Sequence, residues 1–368
     1  MENETTTSQL GVLTTLRADD SSLQGIMSTE TRNQILSIVG VSVLPLIFIC
    51  GTLGNIFTIV VLCCDGLREN VNVVLLCLSV SDLCYVICYY IPFVSEMVKY
   101  VDVVESIRVK ALTGSLEVAS LVFSRISAIF ICFIAVQRFI FIAFPLRATT
   151  ILTKFRVRLT CVLIYVAIIC IFFPCFLIGD YAYVFSSAYN ETIPVYVTTQ
   201  FYQSNAQVLS DYIFVYLTIL FRIVPVFLVL VLSVLILLLL KRSRKWSQAV
   251  SHSDDSKRMS SERKITRTLI SVCMLFIVTG IPYVVFYIML GRLPDFNTTG
   301  RYRNTVAVTY TLVSILEMMN SSANFLLYIT TSTSFYKTFR RVFCSRSNRN
   351  DNERKENASG SSLATVVQ

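Results

Sequence analysis

Residues 208–245 read VLSDYIFVYLTILFRIVPVFLVLVLSVLILLLLKRSRK. From Val208 to Leu240 the only formal charges are Asp211, near the start, and Arg222, midway; the run then breaks into Lys241, Arg242, Arg244 and Lys245. A helix crosses the hydrocarbon of a bilayer with roughly 20 apolar residues, because its backbone must satisfy its own hydrogen bonds there. The stretch is therefore read as a membrane span whose basic end rests at one membrane surface.

Six further runs read the same way: Leu36 to Cys64, Val71 to Val98, Val109 to Ala143, Leu159 to Ile178, Lys264 to Leu290 and Thr305 to Thr330. The expected fold class is an all-α membrane protein, a seven-transmembrane helix bundle. Composition agrees: 54% of the 368 residues are hydrophobic and 15% charged, with a mean hydropathy of +0.66, against about 25% charged in soluble domains. The net charge of +9 does not point to nucleic acid, because the basic residues lie between apolar runs and not on one face of a polar domain.

Lysine and arginine mark the cytoplasmic side. They follow the third run (Arg138, Arg147, Lys154, Arg156, Arg158), the fifth, and the seventh (Lys337, Arg340, Arg341, Arg346), whereas residues 179–207 between runs four and five contain none. The N-terminus is expected outside and the C-terminus inside. The acceptors Asn3, Asn190 and Asn297, each followed two residues on by threonine, fall on outer segments and are candidate glycosylation sites. The apparent acceptors Asn320 and Asn357 fall in membrane and cytoplasm.

The expected organisation is an extracellular tail over 1–35, the seven-helix domain over 36–330, an amphipathic surface helix over 331–344 and a polar, disordered tail over 345–368. In the surface helix Phe335, Phe339 and Phe343 recur every four residues with Lys337, Arg340 and Arg341 between them, the pattern of a helix lying on membrane lipid. Cys344 at its end is a candidate for palmitoylation. The first thirty-odd residues lack an apolar core, so a cleavable signal peptide is not expected. The twelve cysteines lie almost entirely in apolar runs and the single histidine is His252; reduced thiols are expected, with no zinc site and no catalytic constellation.

Landmarks recur through the spans: Gly54-Asn55, then Leu78-Ser79-Val80-Ser81-Asp82, then Gln137-Arg138-Phe139 with Pro145-Leu146, then Pro225, then Phe276 with Pro282, and last Asn320-Ser321 with Asn324-Phe325-Leu326-Leu327-Tyr328. In order and spacing they resemble the rhodopsin-like, class A, G-protein-coupled receptors over the whole membrane part. Glu317 before Asn320-Ser321-Ser322 and the Ser-Phe-Tyr-Lys entry to the last helix resemble a divergent invertebrate branch of peptide or chemosensory receptors.

The resemblance implies a plasma-membrane receptor that couples a heterotrimeric G protein, with receptor kinases and arrestin acting on serines of the third inner loop and tail. It implies an activation set of Gln137, Arg138, Phe139, Glu262, Asn324 and Tyr328, in which Arg138 and Glu262 pair at rest, and a sixth-helix hinge at Phe276 and Pro282. It also implies a buried polar network of Asn55, Asp82, Ser127, Asn320 and Asn324, serving either as a hydrogen-bonded network or as an allosteric sodium site.

Several family features are absent. Thr113 stands where helix three should offer a disulfide cysteine, and the second outer loop has no cysteine. Gly280 replaces the toggle tryptophan, Phe325 the seventh-helix proline, and the fourth span has no tryptophan. The outer loop is expected to be held by packing of its aromatic residues.

Charges inside spans normally face partners. Arg125 lies thirteen residues before Arg138, about 20 Å along the helix axis, with Arg222 at similar depth and Glu317 and Glu117 as candidate partners. The candidate ligand set is Glu117, Ser120, Arg125, Arg222 and Glu317, and two readings stand: internal pairing with Glu317, or capture of a ligand carboxylate or carbonyl. Ser120 where amine receptors carry aspartate, and Met318 where opsins carry lysine, set those two chemistries aside. A short neuropeptide is the expected ligand, a small waterborne molecule the alternative. A transporter would show internal repeats and broken half-helices, which the sequence lacks.

Overall fold

The computed structural model describes residues 26–67, 69–99, 101–247 and 253–344, without the side chains of residues 96, 214, 243–247, 253–265, 267 and 344. Asn3 and the tail from 345 onward lie outside it, as do the side chains of Glu262, Trp246 and Cys344.

Among the described residues seven helices are long and apolar enough to cross a membrane: Thr29–Asp65, Asn70–Phe93, Val103–Ala143, Lys154–Leu177, Ala206–Arg242, Thr268–Arg292 and Arg303–Thr331. They close into a ring in which the second packs on the first and third, the fifth on the third and sixth, and the seventh on the sixth and first. The first helix starts at Thr29, ahead of the apolar run at Leu36, because the Ser28 hydroxyl caps it, accepting from Thr31 N at 3.1 Å, a preference that hydropathy does not register. The third starts at Val103 for the same reason, with Asp102 accepting from the Val104 and Glu105 amides.

Two widened π turns stand just ahead of prolines, Val39–Val43 before Pro45 and Ile219–Ile223 before Pro225. A proline ring collides with the carbonyl four residues earlier and donates no hydrogen bond. A wider turn just ahead of it relieves both faults. The second of these turns contains Arg222, which is buried.

The main core runs through the bundle from Leu78, Phe130 and Ile134 to Val229, Phe276 and Tyr328. The outward faces are apolar and exposed: Leu46, Ile49, Leu53 and Ile56 recur at helical spacing along one side of the first helix, a stripe suited to lipid. After the seventh helix, Thr333–Phe339 forms a short helix continued by a π turn over Arg340–Cys344. Phe335 is buried while Lys337, Arg340 and Arg341 are exposed, and Thr338 donates to the Asp65 carboxylate at 2.9 Å, fastening this helix to the end of the first.

The connection between the fourth and fifth helices is an antiparallel hairpin, β1 (Gly179–Ser186) and β2 (Glu191–Thr198), turning at Asn190 with φ 53°. The alternation of Tyr181, Tyr183 and Phe185 with smaller residues is the period-two signal of a strand, which the reading of this segment as a packed aromatic loop did not use.

Candidate functional site

The bundle interior holds a charged cluster at mid-depth. Arg125 on the third helix, Arg222 on the fifth and Glu317 on the seventh are 4%, 2% and 9% exposed, and both guanidinium groups address the same carboxylate oxygen, Glu317 Oε1. Arg125 Nη1 lies 3.4 Å from it; Arg222 Nη1 and the Ser124 hydroxyl donate to it. The Tyr283 ring lies under the Arg222 guanidinium at 3.8 Å from its centroid and its hydroxyl accepts from Arg125 at 3.4 Å; cation–π contact of this kind is worth up to about 2 kcal/mol once desolvated. Of the two partners considered for the arginines, Glu317 takes both. Glu117 is exposed and stands apart.

Gly280 faces this cluster. A small niche lined by Ser124, Arg222, Phe276, Thr279, Gly280 and Glu317 occupies the level where the resemblance placed the toggle tryptophan. Val226 closes it from the fifth helix: a Cβ on Gly280 would stand 2.8 Å from Val226 Cγ2. The space beside Gly280 is thus filled from across the bundle by Val226.

On the hairpin side of the bundle, a cavity of about 200 Å³ is lined by Tyr89, Phe93, Lys110, Glu117, Ser120 and Tyr310. Ser120 is buried, with its hydroxyl donating to the Glu117 carbonyl at 2.7 Å. The hairpin lies over the outer part of the third helix, where Tyr181 and Tyr196 meet edge to face at 5.6 Å. Partial burial raises both phenols above their ordinary value, so they remain neutral at physiological pH. Arg108 joins Glu191 of β2 at 2.7 Å and Glu105 at 3.3 Å.

On the side of the cluster away from the hairpin, Asp82 accepts from the Ser127 hydroxyl at 2.6 Å and from the Asn324 amide at 2.7 Å. Asn55 donates to the Gly51 and Ser321 carbonyls, both at 3.0 Å, tying the first helix to the seventh. The side-chain carbonyl oxygens of Asn55, Asn320 and Asn324 are buried without a donor among the described residues. Such oxygens, like the Asp82 carboxylate, are of the ligand type that a hard cation takes. Of the residues grouped there from the sequence, Ser127 and Asn324 bond Asp82, Asn55 bonds the Gly51 and Ser321 carbonyls instead, and Asn320 is buried.

Near the end of the third helix Gln137 and Arg138 are buried, with Arg138 over the Phe141 ring at 5.4 Å and Phe139 edge-on to Phe144 at 6.4 Å. The pairing of Arg138 with Glu262 falls outside the described side chains. Tyr328 is buried against Phe335 at 5.7 Å. Pro282 lies inside the sixth helix and Phe276 is in the core. Asn190 and Asn297 are exposed in the connections after the fourth and sixth helices.

Sequence reasoning passed over Ser124, Tyr283 and Tyr165. Ser124 and Tyr283 complete the charged cluster; Tyr165 bonds Ser81 and the Cys77 carbonyl, each at 2.8 Å, joining the fourth helix to the second. The adjacency of Ser124 to Arg125 and of Tyr283 to Pro282 was the signal available for the first two.

Comparison with known proteins places these features. The model of the 7 transmembrane receptor (rhodopsin family) matches residues 54–328. An allatostatin-A receptor of Bombyx mori is 24% identical over 89% of this chain and 87% of its own length. A somatostatin receptor type 5 of Rattus norvegicus is 34% identical over 25% of this chain and 24% of its own.

Proposed function

The chain belongs to the rhodopsin family of seven-transmembrane receptors, and from that premise we propose that it binds a short extracellular peptide and activates a heterotrimeric G protein. The likeness to the allatostatin-A receptor, spread over nearly the whole chain, supports a peptide over a small waterborne chemical. The outer cavity offers Tyr89, Phe93 and Tyr310 for apolar contact and Glu117, Lys110 and Ser120 for polar contact, a mixture suited to one or two peptide side chains. The receptor sits in the plasma membrane with its N-terminus outside, carries glycans at Asn3, Asn190 and Asn297, and rests its last helix on inner-leaflet lipid, held by an acyl group on Cys344.

The observation that carries the mechanism is the convergence of Arg125 and Arg222 on Glu317. It ties the third, fifth and seventh helices at one depth, beside the sixth-helix Gly280. A ligand that redistributes these contacts biases two packings of the bundle. The sixth helix then swings about Phe276 and Pro282, Arg138 leaves Glu262, and the cleft next to Gln137, Phe139 and Tyr328 admits the G protein. Kinases and arrestin follow on the serines of the inner loop and tail. Asn55, Asp82, Ser127, Asn320 and Asn324 form the hinge network on the path inward and would hold a sodium ion; unfolding temperature in sodium against choline, for wild type and Asp82→Ala, tests that site.

Nucleotide exchange on a purified G protein, driven by a panel of synthetic neuropeptides, tests the whole reading. Saturable exchange in wild type that disappears in Arg138→Ala is the expected result. Response to small solutes alone would favour the chemosensory ligand class. Solute uptake or current without exchange would replace the receptor by a transporter or channel.

A further inference from the structure

Two guanidinium groups share one carboxylate, and all three side chains are buried. The cluster therefore keeps one formal positive charge in excess, in surroundings where a charge is stable only when paired and hydrogen-bonded. Its donors are also underused. Arg222 Nε has no hydrogen-bond partner among the described residues. Arg125 reaches Glu317 and Tyr283 only at 3.4 Å each, beyond the usual 2.7–3.2 Å of such bonds. The Tyr283 ring offsets part of the charge on Arg222, but a ring face does not satisfy an in-plane N–H. Asp82, the other buried carboxylate among the described residues, has each oxygen engaged by Ser127 or Asn324. The cluster is one anion short.

The cluster and the outer cavity are linked along the third helix, although none of the three charged residues lines that cavity. Ser120 lines that cavity and Ser124 donates to Glu317; four residues apart on one helix, they are separated by about 6 Å along the axis. We propose that the deep end of the ligand is an oxyanion, in the first instance a carboxylate, which seats against Arg125 and Arg222 beside Glu317. The assignment rests on the receptor reading above and names the chemistry of its ligand. A carboxylate accepts two parallel N–H bonds from a guanidinium fork and supplies the missing negative charge. An amine would face two cations, and a neutral amide would leave the excess charge in place.

The test uses purified full-length receptor and small probes, benzoate and 3-phenylpropionate against benzamide and 3-phenylpropionamide, read by thermal unfolding. The acids raise the unfolding temperature of wild type in a concentration-dependent way, as ligands of the folded state do, the amides do not, and Arg222→Gln abolishes the effect. In Glu317→Ala, where no internal carboxylate competes, the apparent affinity for benzoate rises about tenfold. Equal shifts with acids and amides, or no shift with the acids in both wild type and Glu317→Ala, would overturn the proposal. This readout needs no G protein, so failure of nucleotide exchange would strike the coupling assignment alone.

Discussion

Tyr181, in the first strand of the outer hairpin, lies so close over Gly114 of the third helix that a Cβ on Gly114 would stand 2.9 Å from its Cε2 and 3.0 Å from its Cζ. The contact adjoins Thr113, where the family resemblance expects one half of a disulfide. With the Arg108–Glu191 ion pair it anchors the hairpin to the third helix without a covalent bond. The ion pair is half exposed, and surface pairs contribute about 0–1 kcal/mol; ring packing on the glycine carries more of the attachment.

Gly114→Ala should therefore loosen the hairpin. The added methyl group cannot be accommodated without moving the Tyr181 ring, and overpacking of this kind costs about 1–3 kcal/mol. A lowered unfolding temperature and faster proteolysis within residues 179–198 are expected. Unchanged protection of that segment would mean that the hairpin is held by something other than Tyr181.

Reducing agents should leave the receptor intact. No cysteine lies in residues 1–49, 89–131 or 176–272, which include the outer hairpin and the start of the third helix, and the described cysteines are free. Unfolding temperature and surface binding should be the same with and without dithiothreitol, whereas a receptor with the family's disulfide would lose several kcal/mol. A marked fall in dithiothreitol would reveal a bond between cysteines that are separate in this structure.

The charged cluster predicts a contrast between partial and complete removal. Glu317→Ala leaves two buried guanidinium groups without a counter-charge, and breaking a buried pair costs about 3–5 kcal/mol. Replacing Glu317, Arg125 and Arg222 together by methionine or leucine removes every buried charge and should recover most of that loss. Surface yield and unfolding temperature distinguish the cases. If the triple variant is as unstable as the single one, packing and not charge dominates at this site.

Much of the fold was legible because lipid imposes one demand on every span, and uninterrupted apolar runs report it directly. The cluster was partly legible for the same reason: Arg125, Arg222 and Glu317 are conspicuous within apolar sequence. Which acid would pair with which arginine was not, since Glu117 and Arg125 share one helix while Glu317 approaches from another chain segment, and only tertiary packing brings it there. The hairpin was missed because its alternation is short and its exposed aromatics resemble a loop. The early starts at Thr29 and Val103 depend on single capping side chains, which an average over apolar residues does not register.

Phe325 shows how a departure from the family pattern becomes structural. Where the resemblance expects a proline, the seventh helix continues without interruption from Arg303 to Thr331, and the Phe325 ring packs against Phe57, Phe335 and Phe339 at 5.7, 6.1 and 5.6 Å. That cluster joins the first helix, the seventh and the short final helix, with Phe343 against Phe57 at 5.1 Å. Phe325→Pro, although it restores the family residue, should destabilise this chain: a proline inside a helix costs about 3 kcal/mol or more, and the ring contacts are lost with it. Phe325→Leu keeps the helix and most of the apolar area, so it should cost less than half as much. Unfolding temperatures of the two variants separate a backbone effect from a packing effect, and a proline variant as stable as wild type would show that the seventh helix retains the family's bend in solution.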